Sequence, residues 1–456
     1  MDKALMNKTL IALAILGGSL VLFFPMHYIL IAVVALAAFI FLLAKPKICY
    51  YLVLIFSTYV PAFSTASQRM PFNQTDVLIA ICFLGVLLRI MFVHRFKIDL
   101  RTKIDHWLII LLILYFFSGM TSLSHRGYQG FLQFGEVIAF FYMTVYFLRT
   151  KEVKLSTLIK VVLFAGLFQA LYGILQSVTG SLGANFQSSR GYLGYLGIGS
   201  SFVWHGRGTF WHFNSLGPFL AVIFLFYLPI HHFIVKNKKI GWIILAILFF
   251  GVVTTYSRGS LLALAAGILY FMYQTQESKV SFLLKVIPLS LCAVMGWIFL
   301  KSGSYATTLS YRYEMWNIAI ATFTTSPKTV LLGGGLKSYL DAALPYIPTN
   351  IPLSSINNYL AHSFYLYNMV EIGLIGTSAL LLFFINNIIN GFKNLASRDK
   401  VLVALGIGVV SIIILVLVNG IFDMPFNRFV FQLWLFFVLG IMYSRMKGGR
   451  TFGKID

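Results

Sequence analysis

Two arginines and one histidine stand where apolar segments of the chain begin, and their side chains could hold an anion and move a proton. Arg207 lies in HGRGTFWHFNSLG, where glycines on both sides would let a ligand approach the backbone. Arg258 lies in TTYSRGS, in a minimal turn that opens the next apolar segment. An anion at such a helix start gains from the arginine and from free backbone N–H groups. Together the two arginines could form a bidentate clamp for phosphate oxygens.

The histidine, His362, opens a long apolar segment that reads AHSFYLYNMVEIGLIG. A neutral imidazole at this position could take a proton from a sugar hydroxyl near neutral pH. Glu371 follows nine residues later, about half a helical revolution away, so we do not expect it to orient His362 on a regular helix. Plain alternatives stay open: the arginines could reach to a membrane interface or pair with carboxylates, and His362 could be an ordinary interfacial residue.

The elements that position these residues are predicted to be membrane helices. Of the 456 residues, 59% are hydrophobic and only 11% are charged, whereas soluble domains carry about 25% charged residues. Apolar runs of membrane length recur from end to end, so the bilayer must act as the solvent. The sequence predicts an all-α, polytopic integral membrane protein with about 12–14 transmembrane helices, as a single integral membrane domain over residues 1–456.

The predicted spans lie near 9–24, 28–44, 48–63, 76–93, 106–123, 130–148, 157–178, 214–235, 240–256, 258–273, 282–300, 362–390, 400–421 and 428–444. Two closely spaced apolar runs could instead form one broken or re-entrant element. The first run, Leu10 to Phe24, has no small-residue cleavage site before Pro25 and is predicted to be a retained span rather than a removed signal.

The distribution of charge predicts which side each connection faces. The net charge of +22 could suggest a nucleic-acid partner. With the N-terminus inside, however, most of the 35 Lys and Arg residues fall in inner connections, as the positive-inside rule requires. We therefore predict no nucleic-acid binding, a lipid bilayer around the protein, and both termini in the cytoplasm.

Two connections are too long and too rich in turn formers to be simple hairpins, and both are predicted to be external. They cover residues 178–213 and 301–361. The second begins with SYRYEMWNIAIATF, in which Tyr313, Trp316, Ile320 and Phe323 recur at the spacing of an amphipathic helix. The run Gly333 to Gly335 lacks the preceding strand and the Lys-Ser/Thr ending of a phosphate-binding loop.

A metal or cofactor is not predicted. The external acids are scattered singly, whereas metal sites for phosphoryl or glycosyl transfer usually present paired carboxylates. His205 and His212 are seven residues apart and have no nearby Cys or acidic partner. The three cysteines are far apart in the chain and are interpreted as packing residues.

Four segments resemble the O-antigen ligase and O-antigen polymerase (Wzy/WaaL-like) family of membrane proteins. They are RGTFWHFNSLGPFLA at 207–221, TTYSRGSLLAL at 254–264, YRYEMWNIAI at 311–320 running on to LLGGGL, and AHSFYLYNMVEIGLIG at 361–376. The histidine, aromatic helix and Glu-Ile-Gly of the last segment are the most specific. The N-terminal spans carry no motif of this family, and the predicted number of spans slightly exceeds that expected for the ligases.

The resemblance implies a glycosyltransferase on the external face of a bacterial inner membrane, active without a metal. The donor would be an undecaprenyl-diphosphate-linked glycan, and the acceptor another glycan or a lipid-linked carrier. Arg207 and Arg258 would hold the diphosphate, with help from Arg312. His362 would deprotonate the acceptor hydroxyl, which attacks the anomeric carbon with inversion. The resemblance does not separate a ligase, which transfers finished glycan, from a polymerase, which extends a growing chain.

Two other classes of protein fit parts of the sequence. A polysaccharide or lipid-linked glycan flippase would also be polytopic, but such transporters usually keep polar residues near the bilayer midplane in repeated halves, and no repeat is visible here. A peptidoglycan-type glycosyltransferase would need a catalytic external acid, for which Asp341 or Asp423 is the candidate.

Overall fold

A computed structural model of the protein describes residues 26–58, 74–180, 190–192, 202–210, 212–275, 305–348 and 360–446. The predicted spans 9–24 and 282–300 lie outside these residues. The helices, in chain order, are α1 (Met26–Ala44), α2 (Pro46–Phe56), α3 (Gln74–Leu88), α4 (Asp105–Met120), α5 (Gly127–Arg149), α6 (Leu155–Thr179), α7 (Phe213–Ile234), α8 (Lys238–Val253), α9 (Arg258–Thr275), α10 (Tyr305–Phe323), α11 (Pro327–Leu332), α12 (Tyr339–Ala343), α13 (Phe364–Leu395), α14 (Lys400–Phe422) and α15 (Phe429–Arg445).

The predicted fold class is confirmed: the protein is an all-α, polytopic membrane protein. Six helices of the described part are long and apolar enough to cross a membrane, and a seventh crossing results if α1 and α2 count as one bent span. The predicted number of about 12–14 crossings stays a prediction. The one described sheet is a pair of three-residue antiparallel strands, β1 (Arg190–Tyr192) and β2 (Phe202–Trp204), in the first predicted external connection.

The predicted spans 28–44 and 48–63 correspond to α1 and α2, which meet at an angle of 108°. Pro46 is the first residue of α2, and Lys45 before it has a non-helical backbone. Proline disfavours the helical conformation in the residue that precedes it, so this pair of residues ends α1 sharply. The sequence had allowed for such a broken or re-entrant element among its closely spaced apolar runs.

Helices α7 and α14 lie at the centre of the bundle. The most apolar part of α7 is 83% buried within the protein and that of α14 is 78% buried, compared with 28% for the segment Gln74–Val93. Helices that are apolar around their whole circumference belong in a protein interior or in lipid, and α7 and α14 are largely enclosed by protein. A Cβ at Gly408, in the first half of α14, would lie 3.3 Å from Pro229 near the end of α7, so the two helices are antiparallel and the N-terminal end of α7 lies at the same face as the C-terminal end of α14.

The second long connection folds into short helices that pack on the start of α13. Helix α10 buries Met315, Ile318 and Ala319 in a small apolar cluster with residues of α12 and α13. Tyr313 and Ile320 of the same helix are exposed, so α10 presents a second apolar surface away from the protein. Such a helix is suited to a membrane interface.

The glycine run that follows α11 docks against a break in α13. The backbone N–H of Gly334 donates to Val370 O and that of Gly335 donates to Glu371 O, both at 2.8 Å. Gly333 has a φ of +76° and a Cβ there would lie 2.4 Å from Glu371 O, so only glycine fits. The α13 backbone leaves the helical conformation at Gly373. This contact joins the second long connection to the helix that follows His362.

Candidate active site

The C-terminal end of α14 is the point at which the predicted site residues meet. The backbone N–H of Phe364, at the start of α13, donates to Asp423 O at 3.1 Å. Arg312 Nη1 of α10 donates to Phe422 O at 2.8 Å. A Cβ at Gly259 of α9 would lie 3.3 Å from the Cβ of Phe422. The starts of α13 and α9 and the middle of α10 are thereby held around residues 422 and 423.

His362 lies next to a buried carboxylate. Its Nδ1 is 3.9 Å from Asp423 Oδ1, and its side chain is 32% exposed. This distance is longer than a hydrogen bond, but catalytic contacts are often loose before substrate binds. His362 has a φ of +44°, a strained conformation for a residue other than glycine that is found disproportionately at functional sites.

Asp423 is held as an anion by its surroundings. Its Oδ1 accepts the Met424 backbone N–H at 2.8 Å, and its Oδ2 lies 3.4 Å from Arg428 Nη2. Burial alone would raise the pKa of Asp423, but Arg428, the contact with His362 and the Met424 N–H outweigh it and lower the pKa to about 2. A carboxylate of this kind can orient a histidine and stabilise the imidazolium formed when the histidine accepts a proton.

Arg258 opens α9 and is exposed on the same face. The turn before it contains Tyr256, with a φ of +53°, and Ser257, whose hydroxyl lies 2.8 Å from that of Ser260. Arg258 is close to His205: burial is the main cause that lowers the pKa of His205, a bond with Thr255 O opposes it, and the charge of Arg258 lowers it further.

Arg207 lies in a loop that is bonded to the turn before Arg258. The backbone N–H of Gly206 donates to Thr254 O at 2.8 Å, and the backbone N–H of Arg207 donates to Gln176 Oε1 of α6 at 3.0 Å. Burial lowers the pKa of the Arg207 guanidinium, and its interaction with Tyr172 of α6 opposes this. The loop therefore lies beside the turn that precedes Arg258. The charge of Arg207, however, lies towards α6 rather than beside His362.

Of the four predicted site residues, the structure thus gathers His362, Arg258 and Arg312 around the end of α14 and places Arg207 at the edge of this region. Arg312 was predicted to assist with the diphosphate, and the structure gives it a further contact, to the backbone of Phe422. A role for any of the four in binding or catalysis remains a prediction.

Several residues of the site were not predicted to act with His362. Arg428 donates to the hydroxyl of Ser215 on α7 as well as contacting Asp423. His212 caps α7, and its Nδ1 accepts the backbone N–H of Asn214 at 3.0 Å. The spacing in DMPFNR, with Asp423 and Arg428 on either side of a proline turn, is the sequence signal that could have indicated this pair.

His212 is kept neutral within the site. Burial lowers its pKa to about 4, and the charge of Arg428 acts in the same direction, while that of Asp423 opposes it. His362 and His205 lower its pKa further. Among the described residues, no three His, Cys, Asp or Glu side chains are grouped as ligands for a metal ion.

The fold and this arrangement define a class: a multi-pass helical membrane protein with a histidine, a buried carboxylate and several arginines at one face. Residues 243–381 match the family model described as O-antigen ligase, and the resemblance found in the sequence is thereby confirmed. The matched segment contains Arg258, Arg312 and His362, begins after Arg207 and ends before Asp423. No curated protein matches the chain.

We expect the thermal stability of the protein to depend on His212 between pH 6.5 and 4. The pKa of His212 in the folded protein, about 4, is below its ordinary value of 6.5, so the unfolded chain binds more protons in this range. The contribution is therefore complete above pH 6.5 and is lost as the pH falls towards 4. Melting temperatures measured across this range should decline less steeply in His212→Asn, which retains a helix cap. Parallel curves for the two proteins would refute the assignment.

Proposed function

We propose that the protein transfers a glycan from an undecaprenyl-diphosphate-linked donor to an acceptor hydroxyl, as an O-antigen ligase or polysaccharide polymerase. The observation that carries the proposal is the contact between His362 and the ionised Asp423 at the end of α14, with Arg258 opening the adjacent helix. His362 and Arg258 also lie within the segment that matches the O-antigen ligase family.

In the proposed reaction, His362 accepts the proton of the acceptor hydroxyl as its oxygen attacks the anomeric carbon of the donor glycan. The bond between that carbon and the phosphate oxygen breaks, and its electron pair leaves with the lipid diphosphate. Attack opposite to the leaving group inverts the anomeric centre. Asp423 stabilises the imidazolium that forms, because its carboxylate stays ionised beside it.

The arginines are proposed to stabilise the leaving diphosphate. Phosphate oxygens accept two parallel hydrogen bonds from a guanidinium, and positive groups fixed where negative charge develops lower the barrier of a reaction. Arg258 is exposed and opens a helix, so its fork and the helix N-terminus can act on the same anion. Arg207 and Arg312 are proposed as outer contacts of the same group.

The site is proposed to face the outside of a bacterial inner membrane, with both termini in the cytoplasm. The positive-inside rule supports this orientation: the connection after α7 contains Lys236, Lys238 and Lys239, at the end of that helix opposite to the site. The acceptor would then be a glycan or a lipid-linked glycan on the external side.

A flippase or transporter for lipid-linked glycans is the second candidate function, and the breaks in the helices favour it. The α1–α2 bend and the non-helical Gly373 resemble the discontinuous helices of transporters. The break at Gly373, however, is filled by protein, since a Cβ there would lie 2.3 Å from Leu331 O. The charged groups of the candidate site lie instead at the ends of helices. This position suits a reaction at the membrane surface.

We expect Arg258→Lys to lower the rate of glycan transfer by roughly 10–100-fold. A lysine keeps the charge but cannot donate two parallel hydrogen bonds, and one charge-assisted hydrogen bond contributes about 1.5–3 kcal/mol. Transfer of labelled glycan by the purified protein measures the effect. Arg398→Lys, an exposed arginine in the connection between α13 and α14, is the matched control and should transfer at the normal rate. Full activity of Arg258→Lys would rule out the bidentate clamp.

A further inference from the structure

His212 lies near two groups of residues in the candidate site, those around His362 and those around Arg258. Its backbone carbonyl accepts the N–H of Ser215 at 2.9 Å, and the hydroxyl of Ser215 accepts from Arg428, which contacts Asp423. On its other side, Phe213 stacks on His205, with ring centroids 4.2 Å apart. The charges of Arg428, Asp423, His362 and His205 all act on the His212 ring, so the ring lies near both groups of residues.

The hydrogen bond to Asn214 fixes the tautomer of His212. The donor is a backbone N–H, so Nδ1 of His212 must be the acceptor and can carry no hydrogen. In a neutral imidazole the single hydrogen is then on Nε2, which becomes a hydrogen-bond donor. None of the described residues accepts a hydrogen bond from Nε2.

The surroundings of His212 also disfavour a second proton. Protonation of Nδ1 would break the bond to Asn214 and would place a cation beside Arg428, with Arg258 near His205 beyond it. Among the described residues, Asp423 is the one acid whose charge acts on His212, and its carboxylate is already in contact with Arg428 and His362. His212 is therefore a fixed, uncharged donor rather than a second base.

We propose that His212 donates a hydrogen bond from Nε2 to the oxygen of the lipid diphosphate that leaves the anomeric carbon. This inference rests on the proposed glycan transfer. As the bond between that carbon and the phosphate oxygen breaks, the electron pair stays on the oxygen, and a donor already in place stabilises the growing charge. His362 receives the acceptor's proton, whereas His212 keeps its own proton throughout. His212 is a catalytic residue in this role because it touches the reacting group.

The variants His212→Ser and His212→Asn separate this role from helix capping. Serine and asparagine are both strong N-caps, so either should preserve the start of α7 and the melting temperature at neutral pH. Serine presents no N–H in place of Nε2, whereas asparagine presents a shorter one. We expect the maximal rate of transfer, with saturating undecaprenyl-diphosphate-linked oligosaccharide, to fall about 10²-fold or more in His212→Ser. His212→Asn should recover part of the loss.

A purely structural role for His212 predicts a different result. If His212 only caps α7, both variants should transfer at the wild-type rate, and a rate within twofold of wild type for His212→Ser would overturn the inference. Measuring His362→Ala in parallel distinguishes a failure of the proposed role of His212 from a failure of the proposed function. An inactive His362→Ala beside a fully active His212→Ser refutes only the role of His212, whereas a fully active His362→Ala refutes the proposed function itself.

Discussion

Replacement of His362 by alanine should reduce glycan transfer by about 10²–10⁴-fold and leave the protein folded. The imidazole is proposed to take the acceptor's proton, and alanine offers no group that could do so. The side chain is 32% exposed and its contact with Asp423 is 3.9 Å long, so its removal takes little from the packing of the bundle.

His106→Ala is the matched control for this experiment. His106 is an exposed histidine in the first turn of α4, far along the chain from every candidate site residue. Its variant should transfer glycan at the wild-type rate. Near-normal transfer by His362→Ala, in protein with an unchanged melting temperature, would remove His362 from the mechanism.

Asp423→Asn should also lower transfer strongly, by on the order of 10²–10⁴-fold. The amide is nearly the same size as the carboxylate but carries no charge, so it cannot stabilise an imidazolium at His362. It can also present an N–H to the ring, which would favour an unproductive orientation. Transfer rates divided by the amount of folded protein in each sample should separate this effect from a loss of folded protein.

Asp423 also balances the charge of Arg428, so its replacement carries a structural cost. Arg428, the charge left behind, is 31% exposed and keeps its bond to Ser215, so the loss of stability should be smaller than the roughly 3–5 kcal/mol of a fully buried ion pair. The double variant Asp423→Asn, Arg428→Gln removes both charges and should recover stability without recovering transfer. Asp341→Asn, at an exposed acid of α12, is the control. Normal activity in the double variant would show that Asp423 serves the fold alone.

The sequence predicted which helix starts carry candidate site residues, but it did not predict which of these residues contact one another. Arg258 and His362 could be identified because each polar residue stands at the start of an apolar segment, and membrane length limits where such segments begin. The contact between His362 and Asp423 could not be predicted, because His362 precedes α13 and Asp423 follows α14, so that both helices separate the two residues in the chain. The sequence indicated Asp423 as one of the scattered external acids and as a candidate catalytic acid of a peptidoglycan-type glycosyltransferase, but not as a partner of His362.

The local backbone conformation and its contacts also could not be predicted from the periodicity of the sequence. As the helical spacing predicts, Glu371 does not orient His362. Its carboxylate meets Tyr367 and the backbone of Lys337 and Tyr339, which are partners that the spacing does not indicate. The non-helical conformation at Gly373 depends on the close approach of Leu331, a tertiary contact that no sequence pattern reports. The sharp bend between α1 and α2, in contrast, follows from Pro46 itself.

The proposed glycan transfer is tested most directly with the purified protein in lipid vesicles. The vesicles contain a labelled undecaprenyl-diphosphate-linked oligosaccharide, and a metal chelator is present. Wild-type protein should move the label to an acceptor or into longer lipid-linked chains, and His362→Ala should not. The product would also distinguish a ligase from a polymerase. Movement of the labelled lipid across the bilayer, without transfer to any acceptor, would rule out the proposed glycan transfer and identify a flippase.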